Sequence, residues 1–99
     1  MEEALLPLRT RMNLETARIT WAELERHFAG GRVIQVVAAL DLIEVAACFV
    51  EDNATQIKAW LTSKQIGALT DDTAKSWVAE QPDNLWAVVV APWVLVQER

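Results

Sequence analysis

The sequence predicts a single α+β domain, in which a small sheet of about three strands packs against about four helices. Segments with apolar residues at every third or fourth position alternate with short β-branched runs, as in helices and strands that share a core. The chain has 99 residues, 53 % of them hydrophobic and five of them Trp, so one domain can bury a substantial core without disulfides. We place this domain over residues 13–99 and expect residues 1–12 to be an N-terminal extension that is partly flexible.

The first predicted helix has one apolar stripe along its length, with neighbouring members three or four positions apart. Its members are Leu14, Ala17, Trp21, Leu24 and Phe28. Asn13 is a suitable N-cap, and the glycines at 30–31 supply the left-handed residue that ends a helix. A second possible start is Thr20, which forms a capping box with Glu23. The unbroken stripe favours one longer helix.

The middle of the chain alternates between strand and helix signals. The β-branched run at 32–37 predicts the first strand. Asp41 and Asn53 are N-cap candidates for two short helices that follow one another through a tight turn. The run at 65–69 predicts a brief second strand, which Gly67 weakens.

The last third of the chain predicts a fourth helix and a long final strand. Thr70 caps the helix, and Pro82 ends it. The segment LWAVVVAPWVLVQ, residues 85–97, predicts one strand that bends or has an edge at Pro92, since proline cannot donate a ladder hydrogen bond. The resulting element order is winged-helix-like, with an additional helix between the last two strands.

The final strand is apolar on both sides, whereas a strand with one solvated face alternates apolar and polar residues. Either helices of the same chain cover both faces, or a second copy covers one of them. Full coverage by a few short helices is difficult, so we expect a homodimer, or a contact with another protein, through this strand. Trp86 and Trp93 are seven positions apart, which places them on opposite faces of one strand. The residues expected at the contact are Trp86, Val88, Val90, Trp93 and Val94.

Residues that commonly carry catalysis are scarce, with one His and no Tyr in the chain. Glu23 and His27 lie four positions apart on a helix and could bind a metal ion, but no third ligand is nearby in the sequence. Cys48 is flanked by apolar residues, which favours a buried and unreactive thiol. We therefore predict no enzymatic activity, no cofactor and no metal.

The charge balance argues against a nucleic-acid partner. Nine basic and fourteen acidic residues give a net charge of −5, which repels a phosphate backbone. The alternative function is nevertheless a winged-helix-like nucleic-acid-binding protein that uses its third helix, whose outward polar residues could reach base edges. These residues are Thr55, Gln56, Lys58, Thr62 and Lys64.

The expected location is the cytoplasm, without a membrane contact. The N-terminal segment has acidic residues where a secretion signal needs basic ones, and the C-terminal apolar run is too short for a spanning helix. A single Cys is also typical of a reducing compartment.

Three strings of residues resemble a family of small bacterial proteins that is known only as a domain of unknown function. They are ETA followed by W-x-E-L within 15–24, LDL-x-EVA at 40–46 and VVAPWVLVQ at 89–97. The resemblance extends over nearly all of residues 13–97. It implies a bacterial cytosolic protein but no substrate, cofactor or partner. The residues themselves predict a non-enzymatic interaction or adaptor module that self-associates through its C-terminal strand.

Overall fold

The computed structural model describes residues 6–99, which form five helices and five strands. The helices are α1 (Leu8–Glu15), α2 (Trp21–Ala29), α3 (Leu42–Val50), α4 (Ala54–Thr62) and α5 (Asp71–Glu80). The strands are β1 (Ala17–Arg18), β2 (Val33–Val36), β3 (Ile66–Ala68), β4 (Leu85–Val90) and β5 (Trp93–Glu98). The α+β class is confirmed, whereas the predicted numbers of three strands and four helices are wrong.

All five strands form one mixed sheet in the order β1-β4-β5-β2-β3. The β2 and β5 strands are parallel, and the other three pairs are antiparallel. The shortest strands, β1 and β3, occupy the two edges, which limits the length of unpaired backbone that the sheet exposes.

The single long helix predicted from residue 13 is wrong, because the chain forms two helices separated by β1. The start at Thr20 is the one observed: its Oγ1 accepts a hydrogen bond from the Glu23 backbone N–H at 3.3 Å, and the Glu23 carboxylate accepts one from the Thr20 N–H at 3.0 Å. This capping box satisfies two backbone donors at the start of α2. Leu14, a member of the predicted stripe, is 62 % exposed.

The α1 helix begins at residue 8, so the domain boundary predicted at residue 13 falls inside a helix. Met12 is buried, and the Arg9 guanidinium binds the Glu44 carboxylate of α3 through two contacts of 2.6 Å each. Residues 8–12 therefore pack on the domain, while residues 1–5 of the predicted extension lie outside the described residues.

The elements between residues 32 and 80 confirm the predicted helix and strand positions. Asp41, Asn53 and Thr70 each accept a hydrogen bond from a backbone N–H in the first turn of α3, α4 and α5, at 2.9, 3.2 and 3.2 Å. Gly31, which follows α2, has a φ of 70°, in the left-handed region that favours glycine.

The C-terminal segment is a β-hairpin rather than one bent strand. The chain reverses at Ala91–Pro92, a cis peptide bond, and β4 then pairs with β5 from Leu85 opposite Glu98 to Val90 opposite Trp93. Directly opposed residues of two strands share a face. The Trp86 and Trp93 side chains consequently lie on the same side of the sheet, contrary to the prediction for a single strand.

Helices of the same chain cover both faces of the sheet, which is the first of the two explanations considered for the apolar C-terminal run. One side, the two-helix face, packs against α2 and α5 around Trp21, Leu24 and Trp77. The other side, the three-helix face, packs against α1, α3 and α4 around Leu42 and Leu95, with side chains of α1 and α4 at its margin. Among residues 6–99, no helix is long and apolar enough to cross a membrane.

Candidate functional site

The five residues predicted at a contact surface differ in how accessible they are. Val88 and Val94 are 1 % and 2 % exposed, so the chain's own helices enclose them. Trp86, Val90 and Trp93 are half-buried and pack at the margin of the core on the three-helix face. Of the predicted set, only these last three reach the surface.

The outer end of the hairpin, residues 89–93, is an accessible apolar surface that we call the hairpin tip. Val89 is 58 % exposed, Ala91 and Pro92 are exposed, and Val90 and Trp93 are half-buried. Hairpin turns are usually built from Asn, Asp and Gly. The tip instead has no charged side chain, and its one hydrogen-bonding side-chain group is the indole N–H of Trp93.

The base of the same hairpin is tied down by polar contacts. Gln97 is 2 % exposed, and its Nε2 donates hydrogen bonds to the carbonyls of Val37 at 2.8 Å and Leu40 at 2.6 Å. The Arg99 guanidinium lies 5.3 Å from the centre of the Trp86 ring, a cation–π contact. Side-chain hydrogen bonds therefore fix the base of the hairpin, whereas the strands near the tip are joined by the backbone ladder alone.

The predicted nucleic-acid residues lie on or just after α4, a helix without any buried residue. Thr55, Lys58, Thr62 and Lys64 are exposed, and Gln56 is half-buried. Three residues, 51–53, connect α3 to α4, and this connection carries the acidic side chains of Glu51 and Asp52. The structure therefore groups the predicted polar residues on one side but places carboxylates at the start of the same helix.

The Glu23 and His27 pair does not form a metal centre with other residues. The Glu23 carboxylate accepts hydrogen bonds from the Thr20 N–H and hydroxyl, both at 3.0 Å, and so belongs to the helix cap. Within the described part of the chain, no group of three or more His, Cys, Asp or Glu side chains is arranged to hold a metal ion.

Cys48 is a free, buried cysteine on α3. Burial raises the pKa of its thiol, and the nearby carboxylates of Glu44 and Glu51 raise it further. A raised pKa keeps the sulfur protonated and weakly nucleophilic at neutral pH. This agrees with the predicted unreactive thiol.

A cavity of about 340 Å³ lies where β2 and β3 approach the edge of the two-helix face. We call this region the open corner. Its apolar lining includes Val37, 37 % exposed, and Leu61, 49 % exposed. The polar side chains that line it are Gln35, Lys64, Gln65 and Thr70.

Gly67 forms part of the open corner, and neither backbone conformation nor packing requires a glycine there. Gly31 is the only one of the chain's three glycines with a positive φ. A Cβ at residue 67 would meet no atom within 4 Å. Glycine inside a strand costs roughly 0.5–1 kcal/mol relative to alanine and often marks a close approach by a ligand or another chain. The sequence already marked Gly67 as a residue that weakens the predicted 65–69 strand. The cavity beside Gly67 was not predicted.

A second cavity, of about 330 Å³, runs between α2 and α5 on the outer side of the two-helix face. Its apolar residues include Phe28 and Val78, and Val78 is 50 % exposed. Asp71 and Lys75 line the same groove and leave it without a net formal charge.

The fold and these surfaces define a small α+β protein with a five-stranded mixed sheet enclosed by helices, an apolar hairpin tip and two shallow cavities. Its residues 7–98 match the profile of the family described as "Protein of unknown function (DUF2288)". The chain belongs to that family, which confirms the resemblance found in the sequence.

The chain is also similar to a solved structure, the NMR solution structure of PA1075 from Pseudomonas aeruginosa. The two are 47 % identical in sequence with a TM-score of 0.80, over 93 % of this chain and 84 % of the other. No curated protein matches the chain.

Proposed function

We propose that this protein is a non-enzymatic interaction module that self-associates through its hairpin tip. The observation that carries the proposal is the run of five consecutive accessible or half-buried residues, 89–93, none of which is charged and four of which have purely aliphatic side chains. Apolar surface that stays in contact with water lowers its free energy when a second apolar surface covers it.

The electrostatics favour the tip as the place where two copies meet. Each copy carries a net charge of −5, so two copies repel one another over most orientations. The tip is free of charge, and contact there avoids burying unpaired carboxylates. A symmetric dimer uses the same patch on both copies, which a charge-free apolar patch allows.

The position of the apolar residues also favours the tip over the rest of the hairpin. Val88 and Val94 are enclosed and would require the helices to move before they could touch another chain. Val89, Val90 and Trp93 need no such movement. The expected contact therefore involves fewer residues than the full C-terminal segment.

We place the module in the cytoplasm, where Cys48 stays reduced.

Light scattering tests the proposal by measuring molar mass over a wide range of protein concentration. We expect a dimer at high concentration that dissociates on dilution. At concentrations where the wild type is a dimer, the Val89→Asp variant should have the molar mass of the monomer, because the substitution places a carboxylate in the contact. Since Val89 is 58 % exposed, the variant should keep the wild-type circular dichroism spectrum and melting temperature.

Val78→Asp is the matched control, because it changes an equally accessible valine, 50 % exposed, on α5. It should leave the dimer intact. A monomer at every concentration would refute self-association. Dissociation by Val78→Asp but not by Val89→Asp would move the contact to the groove between α2 and α5.

The second candidate function is nucleic-acid binding through α4, favoured by the exposed polar residues Thr55, Lys58 and Thr62 on one helix. The helix pair α3–α4 is also the part of the chain on which the prediction of a winged-helix-like order depends. Mixing the protein with random-sequence DNA or RNA at about 50 mM salt should then give a complex that weakens with added salt. Replacing Lys58 and Lys64 should weaken it further. Absence of a complex at that salt concentration would eliminate this candidate.

A further inference from the structure

We infer that the open corner binds a small organic anion, with an apolar body over Gly67 and a carboxylate directed to Lys64. The inference is independent of the hairpin tip, which lies at the outer end of β4 and β5. Gly67 is paired with Gln35 on the neighbouring strand, and both face the side of the sheet that α2 and α5 cover only in part.

The missing side chain at residue 67 leaves open space at the edge of the sheet. Val33 and Leu69, which are neighbours on the same face of the sheet, are buried under α2 and α5. Val37 and Gly67 of the open corner are not buried. A Cβ at residue 67 would project into open space, and the cavity holds about 340 Å³. This volume lies at the lower end of the range of small-molecule sites, roughly 300–1,000 Å³.

The polar side chains that line the cavity are suited to an anion. Lys64 is the charged residue among those that line the cavity, in a chain whose net charge is −5. The Gln65 Oε1 accepts a hydrogen bond from the Ser63 hydroxyl at 2.9 Å, which leaves the Gln65 amide N–H groups as donors. An ammonium and an amide donor together suit a carboxylate, which only accepts hydrogen bonds.

Gln35 and the apolar lining supply the remaining contacts for a ligand. The Gln35 side chain is half-buried and makes no hydrogen bond to residues 6–99, so its amide is available to a ligand. Val37 and Leu61 supply the apolar surface against which a flat body can pack. Mostly apolar walls with a few polar groups are typical of ligand sites.

The test is an NMR titration of the ¹⁵N-labelled full chain with benzoate, at a protein concentration low enough to keep it monomeric. We expect saturable amide shifts at Gly67, Gln65 and Val37, at benzoate concentrations on the order of 1–10 mM for so small a ligand. Benzamide has nearly the same shape without the charge and should bind several-fold more weakly. Acetate lacks the apolar body and should produce no saturable shift.

Variants separate the two parts of the site. Gly67→Leu fills the cavity and should abolish the benzoate shifts while the wild-type spectrum of distant residues is retained. Lys64→Gln should weaken binding about threefold, as expected for one exposed charge. Lys58→Gln, a change at an exposed lysine that does not line the cavity, should leave binding unchanged.

The inference is overturned if no shift saturates, or if the shifts fall on Phe28 and Val78 of the other groove. Equal binding of benzoate and benzamide, or an unchanged affinity in Lys64→Gln, overturns recognition of the anion. Shifts of Gly67 that follow protein concentration without any ligand show that a second copy occupies the corner instead, which also overturns it.

Discussion

The two faces of the sheet are covered to different extents, although both are lined by the same kinds of residue. On the three-helix face the core reaches the edge strand, and Ile66 on β3 is 3 % exposed. On the two-helix face the core covers only one end of that edge: Leu69, directly after β3, is 6 % exposed, whereas Val37 beside Gly67 remains 37 % exposed. The open corner is the part of the two-helix face that α2 and α5 do not cover.

The widths of the elements explain the difference. Five strands at about 4.8 Å spacing make a sheet roughly 24 Å across. A helix with its side chains is about 10 Å in diameter, so three helices span the sheet and two do not. The number of helices on each side, rather than the composition of the strands, therefore decides where surface remains available for binding.

The largest expected effect is on the fully covered face. Leu42→Ala, at a residue 0 % exposed, should lower the free energy of unfolding by about 2–5 kcal/mol, because it removes buried methyl groups and leaves a cavity. Val37→Ala in the open corner should cost less than about 1 kcal/mol, since water already reaches that side chain. Urea unfolding measures both. Equal losses would mean that the two faces are packed alike, contrary to the comparison.

An intermediate effect is expected at the polar residue buried on the three-helix face. Gln97→Leu should cost about 1–3 kcal/mol, because the carbonyls of Val37 and Leu40 lose their donor. Gln35→Leu is the matched control on the two-helix face, where the amide is half-buried without such partners. Thermal unfolding should show a clear loss for the first variant and little change for the second. A larger loss for Gln35→Leu would contradict the proposed difference.

The smallest effect is expected from the ion pair that joins α1 to α3, the helices that complete the covered face. Arg9 lowers the pKa of the Glu44 carboxyl through their hydrogen bonds and opposite charges. A lowered folded-state pKa means that the pair stabilises the fold above the ordinary Glu pKa of about 4.3 and loses that contribution as pH falls through the lowered value. The side chains are 52 % and 43 % exposed, so solvent and salt weaken the pair.

Urea midpoints of wild type and Glu44→Gln, measured between pH 7 and pH 3, test this effect. The wild type should be slightly more stable at neutral pH, and the difference should shrink toward acid and in 1 M salt. A difference that grows as the pH falls would have the wrong sign and would exclude the ion pair as its cause.

The N-terminal helices show why a periodic pattern can mislead. The apolar stripe from Leu14 to Phe28 predicted one helix, yet the chain is interrupted by two strand residues that pair with Trp86 and Ala87. The Thr20–Glu23 capping box was visible in the sequence and gave the correct start of α2. A local hydrogen-bonded cap outweighed the spacing of apolar residues, because β4 offered backbone partners that the periodicity does not reveal.

The sequence alone determined the features that depend on nearby residues. The caps at Asp41, Asn53 and Thr70 were legible because a side chain and the N–H groups it satisfies lie within a few positions of one another. The α+β class and the buried thiol of Cys48 followed from equally local patterns.

Only the tertiary structure decided the features that require distant residues to meet. Reversal of the chain at Pro92 placed Trp86 and Trp93 on one face, and β5 also pairs with β2, some sixty positions earlier in the chain. The division of helices between the two faces likewise follows from how all five helices are connected. This division leaves Gly67 only half-buried. Such long-range placement is set by the summed packing of the whole domain, which no single stretch of residues encodes.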